Sequence, residues 1–377
     1  MIEIYEVKTK KDIDDFTMLP FDLYKAEDNW VPPLISDYKK YITGKTSSVN
    51  EVGESIMYLA KKDGKLAGRI LVGLNEELNE YHGVKDSYFS QYECIDDPEV
   101  SKVLFDQASK WAKAQGSNLL KGPMSLPGGD DNRGFLLDNF DEPPMIQNVY
   151  NFKYYNDQVL DAGFSKYHDC YAFDGNPDKK SVERYEKIIP YAMKKYKYRL
   201  DKFRLDKEGI KKDALDVLEV MKKGMPNNED WVDLMPPSLE EIDNIVAAAA
   251  PIADADFIYI ARNENDEPIA FNIAVPDYNQ VLKKMNGKKN PFAILKFLYH
   301  KRKIDQMRVF VLFVVPEYRN KGVTQAIYFK IMENAIKKGY KKIEGSTIWD
   351  YNMPMLNDIL KAGAKISKTY RVYQKEI

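Results

Sequence analysis

The sequence predicts an α/β chain in which mixed β-sheets are flanked by helices and arranged as two tandem lobes. Three observations point there. At 377 residues the chain exceeds what one hydrophobic core ordinarily serves, so two domains are the first expectation. The two halves carry matching segments in the same order, the signature of an internal repeat. In each half, strand patterns are followed by an amphipathic helix, a glycine and a further short strand.

The first match sets Ala114-Gln115-Gly116-Ser117-Asn118-Leu119-Leu120-Lys121-Gly122 against Lys337-Lys338-Gly339-Tyr340-Lys341-Lys342-Ile343-Glu344-Gly345, with glycines six apart in both. The second sets Val159-Leu160-Asp161-Ala162-Gly163-Phe164 against Ile359-Leu360-Lys361-Ala362-Gly363-Ala364. Strands are predicted at 55–61 and 65–73, turning at Asp63-Gly64, and at 256–262 and 268–275, turning at Asn265-Asp266. Val100, Val103, Leu104, Ala108 and Trp111 share one helical face over 100–114, as do Val323, Ile327, Ile331 and Ala335 over 323–336. Before the second of these helices, Val309-Phe310-Val311-Leu312-Phe313-Val314-Val315 is a continuous β-branched and aromatic run, which predicts a strand covered on both faces. The polar stretch Asp174 to Asp178, with the Lys- and Tyr-rich helix up to Lys197, reads as the connector. The expected division is therefore 1–174, a linker helix at 175–197, and 198–377.

Composition excludes several classes. Lysine plus arginine number 56 against 58 aspartate plus glutamate, interspersed, so no global field marks a nucleic-acid or membrane binder. Cys94 and Cys170 are the only cysteines, which excludes a disulfide framework, and the scattered His82, His168 and His300 give no metal site. The start, Met1 to Val7, alternates like a strand rather than a signal peptide, and no apolar run is long enough to span a membrane. A cytoplasmic protein, monomeric or homodimeric, without nucleic-acid, membrane or metal partners is expected.

The chemistry concentrates in Val314-Val315-Pro316-Glu317-Tyr318-Arg319-Asn320-Lys321-Gly322-Val323-Thr324. A glycine-containing turn entering a helix offers unpaired backbone N–H groups and the positive end of the helix dipole to an anion. Arg319 and Lys321 add charge suited to a pyrophosphate. This segment resembles the acyl-CoA-binding motif of the GNAT superfamily of N-acetyltransferases, which reads Arg or Gln, two residues, Gly, one residue, then Gly or Ala. Arg319 and Gly322 fit the first two fixed positions, and Thr324 stands at the third. Further on, Asn352 and Gly363 match the family's Asn followed eleven residues later by Gly, whereas Met355 and Ile359 replace its usual Ala and its thiolate-protonating Tyr. The chain also looks like an uncharacterised bacterial group of tandem GNAT proteins.

The resemblance implies two tandem GNAT-like acyltransferase domains, with acetyl-CoA or another acyl-CoA as co-substrate and a primary amine of a small molecule or peptide as acceptor. It implies a cofactor site at Val314, Val315, Arg319, Asn320, Lys321, Gly322, Val323, Thr324 and Asn352, with the backbone near Val314 and Val315 polarising the thioester carbonyl. Asp350 is the candidate base; Tyr351 and Tyr328 are candidate acids. In the first half the matching loop, Glu93-Cys94-Ile95-Asp96-Asp97-Pro98-Glu99, carries carboxylates that repel pyrophosphate, so that lobe is expected to be degenerate. It also carries an insertion, with 41 residues from Gly122 to Gly163 against 18 from Gly345 to Gly363, including the polar loop Gly128 to Gly134. Such a loop suits acceptor selection in the partner lobe's cleft. Alternative readings are a CoA-binding regulatory protein and a Fem-type aminoacyltransferase, which also has two GNAT-like lobes.

Overall fold

A computed structural model describes all residues except 45–48, 127–131, 226–232, 243–245 and 247–251. Much of the loop at 128–134 therefore lies outside the described residues. The first half contains β1 (Ile2–Glu6), α1 (Lys10–Leu23), α2 (Ile35–Ile42), β2 (Ser55–Lys62), β3 (Lys65–Leu74), α3 (Glu76–His82), β4 (Asp86–Cys94), α4 (Pro98–Ala114), β5 (Leu119–Gly122), β6 (Phe135–Leu136), α5 (Tyr155–Asp161) and β7 (Ser165–Gly175). Two short helices follow where the connector was expected, α6 (Lys179–Glu186) and α7 (Ile188–Tyr196). The second half contains β8 (Tyr198–Lys202), α8 (Lys207–Gly224), β9 (Tyr259–Asn263), β10 (Pro268–Pro276), α9 (Asn279–Met285), α10 (Pro291–Lys301), β11 (Gln306–Val314), α11 (Val323–Lys338), β12 (Lys342–Trp349), α12 (Met353–Lys361) and β13 (Lys365–Glu376).

The glycines that paired the halves in sequence occupy equivalent places. Gly116 and Gly339 are left-handed at φ +79° and +76°, each ending a helix before β5 or β12. Gly163 and Gly363 do the same, at φ +85° and +92°, before β7 and β13. A side chain at these angles is strained, which explains why glycine recurs there.

The described strands form one continuous sheet, ordered β1-β2-β3-β4-β5-β13-β7-β12-β11-β10-β9-β8, with β6 beside β13. Among the described residues, only β4/β5 and β11/β12 are parallel pairs. The last strand of each half lies in the other half's territory: β13 pairs with β5 from Tyr373↔Gly122 to Glu376↔Leu119, and β7 pairs with β12 from Ile343↔Gly175 to Trp349↔Cys170. The seam between them is the β7/β13 pair. Neither half owns a complete sheet.

A second tie crosses the seam. Asp277, just past β10, accepts hydrogen bonds from the N–H groups of Ile146 (2.9 Å) and Asn279 (3.2 Å), and Asn279 Nδ2 donates to Pro144 O (2.9 Å). The first half's insertion is thereby pinned to the second half. Burial pushes the Asp277 carboxyl up to about 7, against the opposing pull of its two N–H donors. An unfolded aspartate ionises near 4, so between about pH 4 and 7 the native chain holds a proton that the unfolded chain has released. Stability from this residue is full below that window and declines as pH rises through it, by up to about 1.4 kcal/mol per pH unit. Asp277→Asn keeps the accepting Oδ1, so it is expected to flatten this decline and raise the melting temperature at pH 8. Thermal melts of both proteins at pH 5 and pH 8 check it; an unchanged difference between the two pH values would show that Asp277 ionises freely.

Candidate acyl-transfer site

The parallel pair β11/β12 holds register only from Gln306↔Lys342 to Val309↔Gly345. Beyond that point the strands separate. On its other side β11 stays paired with β10, with a bulge that places Phe310 between Val309↔Ala274 and Val311↔Ile273. The β11/β12 register ends at Val309↔Gly345, and a gap opens alongside the rest of β11.

A cavity of about 140 Å³ fills that gap. Its walls come from both faces of the sheet. Tyr328 of α11 and Met355 and Ile359 of α12 line one side; Met221 and Met225, with Leu234, Met235 and Arg133, line the other. Phe310, Leu312, Phe313, Thr347, Trp349 and Asn352 line the passage itself. A smaller cavity of about 30 Å³ continues along α11 past Gln325, Phe329 and Met332 to Val182 and Tyr185 of α6, and Tyr328 borders both. The lining is mostly apolar and rich in methionine. The Thr347 hydroxyl and the Trp349 indole N–H are buried without a hydrogen-bond partner among the described residues, so a bound molecule can claim both.

The turn into α11 has the anion-binding form. Gly322 is the N-cap at φ +79°, Asn320 is also left-handed at +60°, and no side chain caps the helix. The first-turn N–H groups of Val323, Thr324 and Gln325 therefore lack an intrahelical acceptor. Lys321 lies over the Tyr318 ring at 4.6 Å. The Tyr198 hydroxyl, buried and without a described partner, is 3.6 Å from where a Gly322 Cβ would stand.

Not every expected ligand faces this turn. The Arg319 guanidinium donates to Val314 O (3.2 Å) and Gly224 O (2.8 Å), tying the turn to β11 and the end of α8. The Val315 N–H is donated to Ile269 O (2.9 Å), so it is committed to β10, whereas strand alternation turns the Val314 N–H to the opposite edge. Asn352 caps α12 through Met355 N (3.3 Å) and also lines the cavity. Asp350 and Tyr351 do not line it. The Asp350 carboxylate faces β7, meeting His168 Nδ1 at 2.8 Å, the Asp169 N–H at 3.1 Å and Lys166 Nζ at 3.4 Å. Tyr351 stacks on Trp349 with ring centroids 5.6 Å apart. Among the described lining residues there is no carboxylate and no imidazole.

The equivalent gap in the first half is closed. After Tyr88↔Lys121 the strands β4 and β5 separate, but Met124 N–H bonds Phe89 O (2.9 Å) and Gly122 packs so tightly on Phe89 that a Cβ would lie 2.4 Å from its carbonyl oxygen. Phe89, Phe105, Phe135, Phe164 and Tyr92 fill the space. The N-terminus of α4 is also occupied. Asp97 accepts from the N–H groups of Glu99 (3.1 Å) and Val100 (3.3 Å) and pairs with Lys62. The carboxylate that sequence alone read as repelling phosphate sits in the place a phosphate would take.

Arg133 belongs to the loop 128–134 that the sequence offered for acceptor selection; Met221, Met225, Leu234 and Met235 were missed, because their distance in sequence from β11 gives no signal. Tyr328, a candidate acid by sequence, lies one helical turn beyond the turn 320–324 and borders both cavities.

No family profile matches the chain. Protein YghO of Escherichia coli (strain K12) is 26% identical over 376 residues, covering 98% of this chain and 94% of that protein. The bacterial ceramide synthase of Caulobacter vibrioides (strain NA1000 / CB15N) is 24% identical over 390 residues, covering 100% and 98%. Among solved structures, a tandem GNAT protein from the clavulanic acid biosynthesis pathway superposes with a TM-score of 0.57 at 9% identity, covering 100% of this chain and 98% of that one. Two GNAT-like lobes sharing one sheet, a splayed parallel strand pair and a whole-length match to a tandem GNAT structure together establish that this chain has a tandem GNAT-type fold.

Proposed function

We propose that the chain is an acyl-CoA-dependent N-acyltransferase whose reaction takes place in the gap between β11 and β12. The observation that carries this reading is a cavity passing through the sheet, with α11 and its uncapped N-terminus on one face and α8 on the other. An acyl donor anchored by its phosphates at the turn 320–324 runs past Tyr328 into the gap, and an amine reaches the same point from the opposite face. The neutral amine's nitrogen bonds the thioester carbonyl carbon, the C–S bond breaks, the departing sulfur takes a proton from the Tyr328 phenol, and the proton shed by the nitrogen restores that phenol, leaving an amide and a free thiol. Backbone N–H groups on the edge of β11 turned away from β10, such as that of Val314, suit the developing oxyanion. The Tyr328 phenol, which burial keeps protonated, can supply the thiolate's proton.

The acceptor belongs to the amines, and the cavity's methionine and aromatic walls favour apolar substituents. The name of the Caulobacter relative, a ceramide synthase, supports an acyl group larger than acetyl. Thiol release measured over acyl-CoA donors of increasing length with a panel of short and long-chain amines tests the reading. Tight acyl-CoA binding with no amine stimulating release would favour the regulatory alternative.

Because the described lining offers no base, the amine must arrive neutral. The rate is expected to rise with pH up to the acceptor's own pKa. Asp350→Asn is expected to change kcat by less than about tenfold, whereas a loss of about 100-fold would assign the proton to Asp350 acting through His168. Steady-state rates of both proteins across pH 6 to 9 check this.

A further inference from the structure

The α9–α10 hairpin carries a feature that acyl transfer does not use. On α10, Ala293 is buried, and Phe297 turns inward to stack on Tyr278 with ring centroids 5.8 Å apart. The opposite arc carries Phe292, Leu295, Leu298 and Tyr299, exposed at 77%, 64%, 57% and 62%. At 100° per residue these four fall on one contiguous face. An apolar arc of large side chains left in water marks an interaction surface.

The charge around it is one-sided. Between Asp277 and Asp305 the sequence has no carboxylate, while Lys288, Lys289, Lys296, Lys301, Arg302 and Lys303 are all exposed around α10. Of these, Lys289 reaches Asp37 of α2 at 3.1 Å and Lys303 donates to the Tyr299 hydroxyl at 2.9 Å. On the helical wheel Lys296 and Lys301 fall on opposite flanks of the apolar arc. A chain of net charge −2 thus concentrates positive charge beside a cluster of four large exposed apolar residues.

We propose that α10 is an interfacial helix that seats this protein on the surface of an anionic lipid bilayer. Phe292, Leu295, Leu298 and Tyr299 enter the boundary between headgroups and acyl chains, and the flanking lysines meet lipid phosphates. A second copy fits the face poorly, because a two-fold contact would bring the two lysine flanks together. No helix among the described residues is long and apolar enough to cross a membrane, so the association lies in the plane of the surface. The proposal stands whether or not the chain transfers acyl groups.

Co-sedimentation of the full chain with phosphatidylcholine vesicles, with and without about 30% phosphatidylglycerol, tests it directly. The parent is expected to bind the anionic vesicles and to be released by high salt. The pairs Phe292→Ser/Leu295→Ser and Lys296→Glu/Lys301→Glu are each expected to weaken binding by roughly tenfold or more. Their thermal melts should match the parent, since all four side chains are exposed. Absence of parent binding, or parent-like binding by both double variants, would overturn the proposal. A parent dimer turned monomeric by Phe292→Ser/Leu295→Ser in sedimentation velocity would instead assign the face to a second copy and equally overturn it.

Discussion

Replacing Gly322 with glutamate is expected to abolish acyl-CoA binding while leaving the protein folded. The backbone at Gly322 is left-handed, and a Cβ there would meet only Ala192 Cβ at 3.4 Å and Tyr198 Oη at 3.6 Å, so the fold bears a strain of about 1–2 kcal/mol without a severe clash. Binding suffers far more. The new carboxylate lies at the N-terminus of α11 and competes for the N–H groups that a pyrophosphate needs. Losing two charge-assisted hydrogen bonds at about 1.5–3 kcal/mol each lowers affinity by about 100-fold or more. Gly339→Glu is the control: it imposes the same left-handed strain at φ +76° at the other end of the helix, with nothing within 4 Å of the added Cβ. Calorimetry should show one acyl-CoA site per parent chain, none for Gly322→Glu and an unchanged site for Gly339→Glu. Two sites in the parent would mean that the sealed gap between β4 and β5 opens.

What was legible in the sequence was local. The Asp63-Gly64 hairpin, the paired helix-ending glycines and the apolar strand before α11 each declare themselves through chain chemistry within a few residues, although residues 310–313 of that strand, expected to be covered on both faces, are half-buried where they line the cavity. The left-handed glycine turn into α11 was legible for the same reason. Partnerships across long separations were not. Nothing near Asp350 announces that its carboxylate is held by His168, a pairing created by β7 lying against β12. Arg319 reads as a phosphate ligand by motif, yet carbonyl groups 5 and 95 residues away hold its guanidinium. The surface of α10 escaped notice because charge was weighed over the whole chain, where 56 cations nearly balance 58 anions and a local excess disappears.

Deleting β13, the last strand, is expected to unfold the first half of the chain as well as the second. Tyr370, Val372 and Tyr373 are all at most 1% exposed. Tyr373 packs into the first half's core with Phe135, and Tyr370 and Val372 join the cluster that contains Leu59, Leu71 and Tyr88. Burying each stabilises by about 1.5–3 kcal/mol, so together they rival the roughly 5–15 kcal/mol that holds a whole domain folded. The deletion also strips β5 and β7 of a partner each, leaving two unpaired edges in the middle of the sheet. A chain ending at Ala364 should lose hydrogen-exchange protection in β4 and β5, far away in sequence, and not only in β12. Cutting between β7 and α6 instead, at Asn176-Pro177, removes no strand. Separately produced, the two fragments are expected to be unfolded; produced together, they should assemble one to one and bind acyl-CoA as the intact chain does. A first-half fragment that folds alone with native protection in β5 would show that β13 is an accessory strand, and that the two lobes are independent domains rather than one exchanged sheet.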